Sequence, residues 1–294
     1  MLIKDIFATK KPVISFEIFP PKKDSPIETI YKTIEALKDM TPDYISVTYG
    51  AGGSTTNRTA EIATLIKQQY GIEALAHLTC ITSTKAEIAH TIESLKTSGI
   101  KNVLALRGDL PQDPSFKFPD PLHYKFAKDL VSEIHKDPAF CIAGACYPEG
   151  HPECDSYEED LKHLKEKVDA GVDFLISQLF FDNEIFYNFI EDKTKLNINV
   201  PVTAGIMPVL NKGQIERMTT LCGASIPKKL ARILYRYEHN QEAMKEAGIA
   251  YATEQIIDLL SWGVDGIHIY TMNRPEVTRT IMRNISSIRD HISK

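Results

Sequence analysis

A chain of 294 residues, 43% hydrophobic and 25% charged, has the composition of a water-soluble globular protein and can bury a large core without disulfides or metals. Its formal net charge of -5, from 34 basic and 39 acidic side chains, leaves no basic excess for gripping DNA or RNA. Short basic pairs such as Lys22-Lys23 and Lys228-Lys229 read as solvated surface, so no nucleic-acid partner is expected.

Short β-rich runs alternate with longer amphipathic ones. Strands are expected at Val13–Phe19, Tyr44–Tyr49, Ala74–Thr79, Val103–Leu106, Ile142–Tyr147, Phe174–Phe180, Val202–Ile206 and Ile267–Tyr270. Helical patterns lie between them, including Ile27–Leu37, Glu87–Leu95, Tyr157–Val168 and Glu254–Leu260. In the first of these, Ile27, Ile30, Ile34 and Leu37 recur at helical spacing. About eight such units, with no Pro/Gly/Ser-rich linker, point to one domain over residues 1–294: a parallel (β/α)8 barrel of the TIM type. A doubly wound sheet would carry a Gly-x-Gly-x-x-Gly turn after its first strand, but Pro20-Pro21-Lys22 stands there instead.

Five cysteines, Cys80, Cys141, Cys146, Cys154 and Cys222, contain no Cys-x-x-Cys pair and argue for a reducing compartment. Met1-Leu2-Ile3-Lys4-Asp5 lacks a signal-like apolar run, and no stretch approaches the roughly 18 apolar residues of a membrane span. The expected location is the cytoplasm.

Barrel enzymes work at the C-terminal ends of their strands. Glu17, Thr48, His77 with Thr79, Tyr147, and His268 with Tyr270 close their runs, Arg107 and Asp109 follow the fourth, Gln178 lies in the sixth, and Arg274 is just beyond the last. Alternation puts Glu17 on the inner face with Val13, Ser15 and Phe19, while Ile14, Phe16 and Ile18 face the helices. A glutamate there is costly unless paired or protonated, which favours function over a structural ion pair. Each neighbour has an ordinary reading as well: His77 and His268 as satisfied core histidines, Arg107 and Asp109 as partners of each other. Convergence on one rim is what structural explanations would not require. Gly50-Ala51-Gly52-Gly53-Ser54-Thr55 reads alone as a tight turn, and Asp160, His163 and Lys167 as a solvated helix face. His151-Pro152-Glu153-Cys154 with Cys146 matches no closed zinc set, so no metal is expected.

In their joint order, these segments resemble the catalytic domain of the methylenetetrahydrofolate reductase family. They are Ser15–Pro21, Val47-Thr48-Tyr49-Gly50-Ala51, His77-Leu78-Thr79-Cys80, Leu104–Pro111, Tyr147-Pro148-Glu149 with His151-Pro152-Glu153, and Lys167-Val168-Asp169-Ala170-Gly171. Gln178 with Phe180-Phe181-Asp182, Gly205-Ile206-Met207-Pro208-Val209 and Tyr270-Thr271-Met272-Asn273-Arg274 complete the set. The resemblance implies reduction of methylenetetrahydrofolate to methyltetrahydrofolate through FAD, with NADH or NADPH as donor, in a homo-oligomer. It assigns the catalytic acid to Glu17, and Asp109, ionised near the flavin ring, as stabiliser of the folate cation. The flavin site would use Tyr49, Ala51, His77, Arg107, Gly108, Asp109, Ala127, Tyr147, His151, Asp160, His163 and Lys167. Thr48 and Gln178 would touch the nicotinamide, and Asp109, Gln178, Gln214 and Arg274 the folate.

Three departures stand out. Met218 replaces a folate-stacking phenylalanine of some bacterial members, Glu166 a basic residue of some members, and the Ala51–Ser54 loop is nearer to eukaryotic ones. The eukaryotic C-terminal regulatory domain is missing from the sequence, so inhibition by S-adenosylmethionine through it is not expected. Opening the folate's methylene bridge needs a proton at the leaving nitrogen, which Glu17 supplies if burial raises its pKa. The rivals are a metal-dependent barrel hydrolase, a Schiff-base aldolase, another flavin-linked barrel oxidoreductase, and a non-catalytic flavin or folate carrier. The first lacks a His-x-His pair on a strand and the second a strand-end lysine.

Overall fold

The computed structural model describes residues 1–21, 25–49, 56–111, 113 and 115–292. Helix α1 (Ile3–Thr9) leads into β1 (Val13–Ile18), α2 (Glu28–Lys38), β2 (Tyr44–Val47), α3 (Thr56–Tyr70), β3 (Glu73–Thr79), α4 (Lys85–Thr97) and β4 (Asn102–Leu106). The chain continues through α5 (Ala127–Ile134), β5 (Cys141–Cys146), α6 (Tyr157–Asp169), β6 (Phe174–Ser177), α7 (Asn183–Lys195) and β7 (Val202–Ile206). Three helices, α8 (Lys212–Cys222), α9 (Lys228–Tyr237) and α10 (Gln241–Trp262), precede β8 (Gly266–Tyr270), and α11 (Pro275–Asn284) and α12 (Ser286–Ile292) follow it. The strands pair in sequence order, all parallel, and β8 closes on β1. The expected (β/α)8 barrel is therefore the fold.

Alternation along β1 sorts its residues as expected. Ile14, Phe16 and Ile18 pack outward with Ile30, Ile34 and Leu37 of α2. Val13 points inward, in a cluster with Tyr44, Leu75, Leu104 and Phe174. The underside of that cluster is closed by Ile3 and Ile6 of α1, a helix whose two buried side chains are too few to show as a sequence pattern. Asn102 completes this floor by accepting the Ile3 N–H at 2.8 Å, so the start of α1 is satisfied inside the barrel.

Three strands are shorter than the apolar runs that predict them. β1 ends at Ile18, β2 at Val47 and β6 at Ser177, which leaves Phe19, Thr48, Tyr49 and Gln178 just beyond, and β5 stops at Cys146, one residue before Tyr147. After Ser177 the side-chain oxygen of Gln178 accepts the Leu179 N–H at 2.8 Å, turning the backbone out of the ladder. Leu179 and Phe181 then bury in a satellite cluster with Met207, Val209, Ile215 and Leu230, under α8–α10. The helical pattern at Glu254–Leu260 proves to be the last part of α10.

Helix starts near the rim are fixed by side-chain caps: Ser156 accepts the Glu159 N–H at α6, and Asn211 accepts the Gln214 N–H at α8. Among the described residues no helix is long and apolar enough to cross a membrane, and no group of three or more His, Cys, Asp or Glu is placed to hold a metal ion.

Candidate active site

Glu17 ends β1 on the inner face, 7% exposed, and sits among hydrogen-bond donors. His268 Nε2 of β8 lies 3.4 Å from Glu17 Oε2, His77 Nε2 of β3 lies 3.5 Å away, and the Ser46 hydroxyl of β2 donates at 3.4 Å. Behind them, Ser15 Oγ is 2.7 Å from His268 Nδ1, and Ser46 Oγ is 2.9 Å from His77 Nε2. One proton arrangement satisfies the Ser15–His268, His268–Glu17, His77–Ser46 and Ser46–Glu17 contacts. Ser15 donates to His268 Nδ1, His268 Nε2–H points to Glu17, and His77 Nε2–H points to Ser46, which donates to Glu17.

The electrostatics correct one expectation. Burial does push the Glu17 carboxyl upward, but the hydrogen bond from His268, the facing imidazoles and the Ser46 hydroxyl together hold it below the ordinary carboxylate value. Glu17 is therefore ionised in the ligand-free site at neutral pH. Burial drives the His77 imidazole down to about 4 despite Glu17 beside it, so His77 is neutral there.

Two clefts open at the ends of β4–β6, and none of Glu17, Ser46, His77 and His268 is among the residues lining them. The first is lined by Arg107, Ala127, Tyr147, His151, Asp160, His163 and Lys167, which brings together seven of the residues expected around a flavin. Leu106, Phe126, Ala145 and Leu164 give it apolar walls. The second holds Asp109, Gln178 and Met218 with Leu221 and Cys222, and shares Arg107, Tyr147, His151 and Glu153 with the first. An apolar slot with polar groups at its ends, adjoining a second polar recess, suits a ring system carrying charged appendages.

The turn after β4 explains how Arg107 and Asp109 both reach this region. Gly108 has φ +87°, and a Cβ there would lie 2.9 Å from Thr79 Cβ, so only glycine fits the bend comfortably. Arg107 pairs with Glu153 rather than Asp109, Nη1 and Nη2 meeting the two carboxylate oxygens at 2.6 and 2.7 Å. Tyr147 stacks edge-on against His151 with ring centroids 4.6 Å apart, and burial raises its phenol to about 12. On α6, burial pushes the Asp160 carboxyl up against the opposing pull of Lys167, and pushes the Lys167 ammonium down. Lys167 Nζ donates to the Ala145 carbonyl at 2.5 Å, and Asp160, His163 and Lys167 all line the cleft, His163 while still exposed.

Other expected residues stand apart. Thr48 and Tyr49 follow β2, where the Thr48 carbonyl accepts the Thr59 hydroxyl at 3.0 Å. Ala51 lies outside the described residues. Gln214 is in the first turn of α8, and Arg274 precedes α11 with its side chain 57% exposed; neither lines the two clefts. Tyr270 has a structural task, its hydroxyl donating to the Ser177 carbonyl at 2.8 Å across the β7 position where Gly205 leaves room for the ring. Ser15, Ser46 and the carboxylate of Glu153 are site groups without a role in the sequence reading. The sequence signals for them are the inner-face position of Ser15, two residues before Glu17, and the place of Glu153 in the His151-Pro152-Glu153 segment; Ser46 carries none.

Comparison with known proteins identifies the family and the fold. A family model described as methylenetetrahydrofolate reductase matches residues 2–286. The Arabidopsis thaliana protein named methylenetetrahydrofolate reductase (NADH) 1 is 36% identical over 297 residues, covering 97% of this chain and 50% of its own length. A Pectobacterium carotovorum 5,10-methylenetetrahydrofolate reductase is 36% identical over 272 residues, covering 92% of this chain and 89% of its own. The chain thus spans about half the length of the plant relatives and most of the bacterial one. A solved Clostridium thermocellum protein, described as binding two copies of 5-methyl-5,6,7,8-tetrahydrofolic acid, superposes with a TM-score of 0.70 at 17% identity, covering 99% of this chain and 100% of its own; that likeness shows the fold. With a family model matched over nearly the whole chain and a bacterial relative aligned over most of its length, this chain belongs to the methylenetetrahydrofolate reductase family.

Proposed function

We propose that the chain reduces methylenetetrahydrofolate to methyltetrahydrofolate, using FAD and a reduced nicotinamide cofactor. The observation that carries this reading is a buried carboxylate, Glu17, facing two imidazoles at the mouth of a barrel whose β4–β6 strand ends open into two joined clefts. When bound, FAD supplies a carrier that accepts hydride from the nicotinamide and passes it to the folate. The first cleft fits its shape: apolar walls for the ring, and Arg107, Asp160, His163 and Lys167 for polar appendages.

The remaining work falls to side chains of this chain. Asp109 and Gln178 in the second cleft orient the substrate, and the side chain of Asp109 favours positive charge developing on it. Glu17 delivers a proton to the nitrogen released when the methylene bridge opens. Because its carboxyl is ionised in the free protein, that proton is taken up once a ligand covers the site. Covering the last 7% of exposure removes water and strengthens the burial that already pushes Glu17 upward. His268, bonded to Glu17 on one side and Ser15 on the other, fixes the carboxylate through this change.

The test is direct. The purified protein should be yellow, bleach anaerobically with NADH or NADPH, and recover its colour on adding methylenetetrahydrofolate. Bleaching without recovery would favour another flavin-linked oxidoreductase, and a colour indifferent to both nicotinamides would favour a carrier.

A further inference from the structure

The first cleft contains three cations, and they are not equally available to a ligand. Arg107 has both terminal nitrogens engaged by Glu153. Lys167 is tied to the Ala145 carbonyl, and burial disfavours its charged form. Lys128, the second residue of α5, lines the same cleft with its side chain 41% exposed. Its Nζ meets Glu166 Oε2 of α6 at 2.6 Å, and Glu166 also lines the cleft, 52% exposed.

We infer that Lys128 is a binding residue for the phosphate groups of the dinucleotide in this cleft, with Glu166 as the resting counter-ion that the ligand displaces. The inference rests on the function proposed above and adds a residue to its cofactor site. An exposed ion pair is weakly held, so opening it costs little. An ammonium group has three N–H donors, and a diphosphate offers several anionic oxygens where Glu166 offers one contact. Exchange therefore favours the ligand, while the pair bridges α5 and α6 in its absence. Lys128 also fits by position, because Phe126 and Ala127, immediately before it, form the apolar wall of the same slot.

The experiment loads the full chain with FAD and follows the fluorescence of flavin released after dilution, in wild type, Lys128→Ala and Glu166→Gln. Lys128→Ala should release FAD roughly tenfold faster or more, as expected for losing one charge-assisted hydrogen bond. Glu166→Gln should release it several-fold more slowly, because the cation loses its competitor. Both effects should shrink in high salt, and riboflavin, which has no phosphate, should bind all three proteins alike. Wild-type release from both variants overturns the inference. So does faster release from Glu166→Gln, which would make the pair a helix brace. A wild-type chain that neither retains nor takes up FAD overturns the functional reading, and this inference with it.

Discussion

The barrel has two ends made from the same eight strands, and they solve opposite problems. At the floor, Val13, Tyr44, Leu75, Leu104 and Phe174 pack on Ile3 and Ile6, and the polar exception, Asn102, closes a helix start. At the rim, within one strand length of that floor, the same inward positions carry Glu17, Ser46, His77 and His268. Floor polarity serves mainly the backbone, Asn102 bonding three backbone groups and the Glu73 carboxylate, whereas rim polarity serves other side chains. The difference shows where stability has been exchanged for chemistry. A buried carboxylate with two imidazoles needs a complete hydrogen-bond network to be tolerated, and the site is that network.

Substitutions at each end should fail differently. The largest loss of stability is expected for Phe174→Ala, which empties a fully buried floor position packed against Phe7 and Tyr44. Denaturant titration should show a loss of about 3–5 kcal/mol, with the flavin spectrum of the folded fraction unchanged. A smaller loss would mean that α1 collapses into the space.

At the rim the expected signature is pH dependence. The His77 value falls from 6.5 in the unfolded chain to about 4 in the native one, so its neutral form is favoured by folding. Its contribution is complete above pH 6.5 and is lost as pH falls toward 4, by roughly 3 kcal/mol at the limit. The depressed Glu17 works in the same direction at lower pH. Stability measured at pH 7.5 and pH 4.5 should therefore drop less in His77→Gln than in wild type. Equal drops would show that His77 is not held neutral. The smallest effect is expected for Ser15→Ala, which removes the 2.7 Å contact to His268. It should cost about 1 kcal/mol of stability and slow the folate step only, leaving reduction by the nicotinamide intact.

How much of this could be read from residue order follows the same division. Period-two alternation placed Val13, Ser15 and Glu17 inward, and eight β-then-α units gave the barrel. What alternation cannot supply is register. Ser46 meets Glu17 because β1 and β2 align those two residues, and a serine in an apolar strand carries no mark of that neighbour. Strand ends were overrun where apolar residues continue for another reason: Leu179 belongs to the cluster under α8–α10 and Phe180 packs among the helices of the main core, not in the sheet. The ion pairs Arg107–Glu153 and Lys128–Glu166 join ordinary charged residues far apart in the chain, so only the folded cleft reveals them.

The most direct test of the rim is Glu17→Gln, followed by rapid mixing in each half of the reaction separately. Glutamine keeps the size and one acceptor oxygen but has no acidic proton to give. Flavin reduction by the nicotinamide needs no proton at the folate and should proceed near the wild-type rate. Reoxidation by methylenetetrahydrofolate should fall by at least ~10²-fold, the ordinary cost of losing a general acid. Equal slowing of both halves would make Glu17 a determinant of flavin geometry, and an unchanged second half would place the proton donor elsewhere.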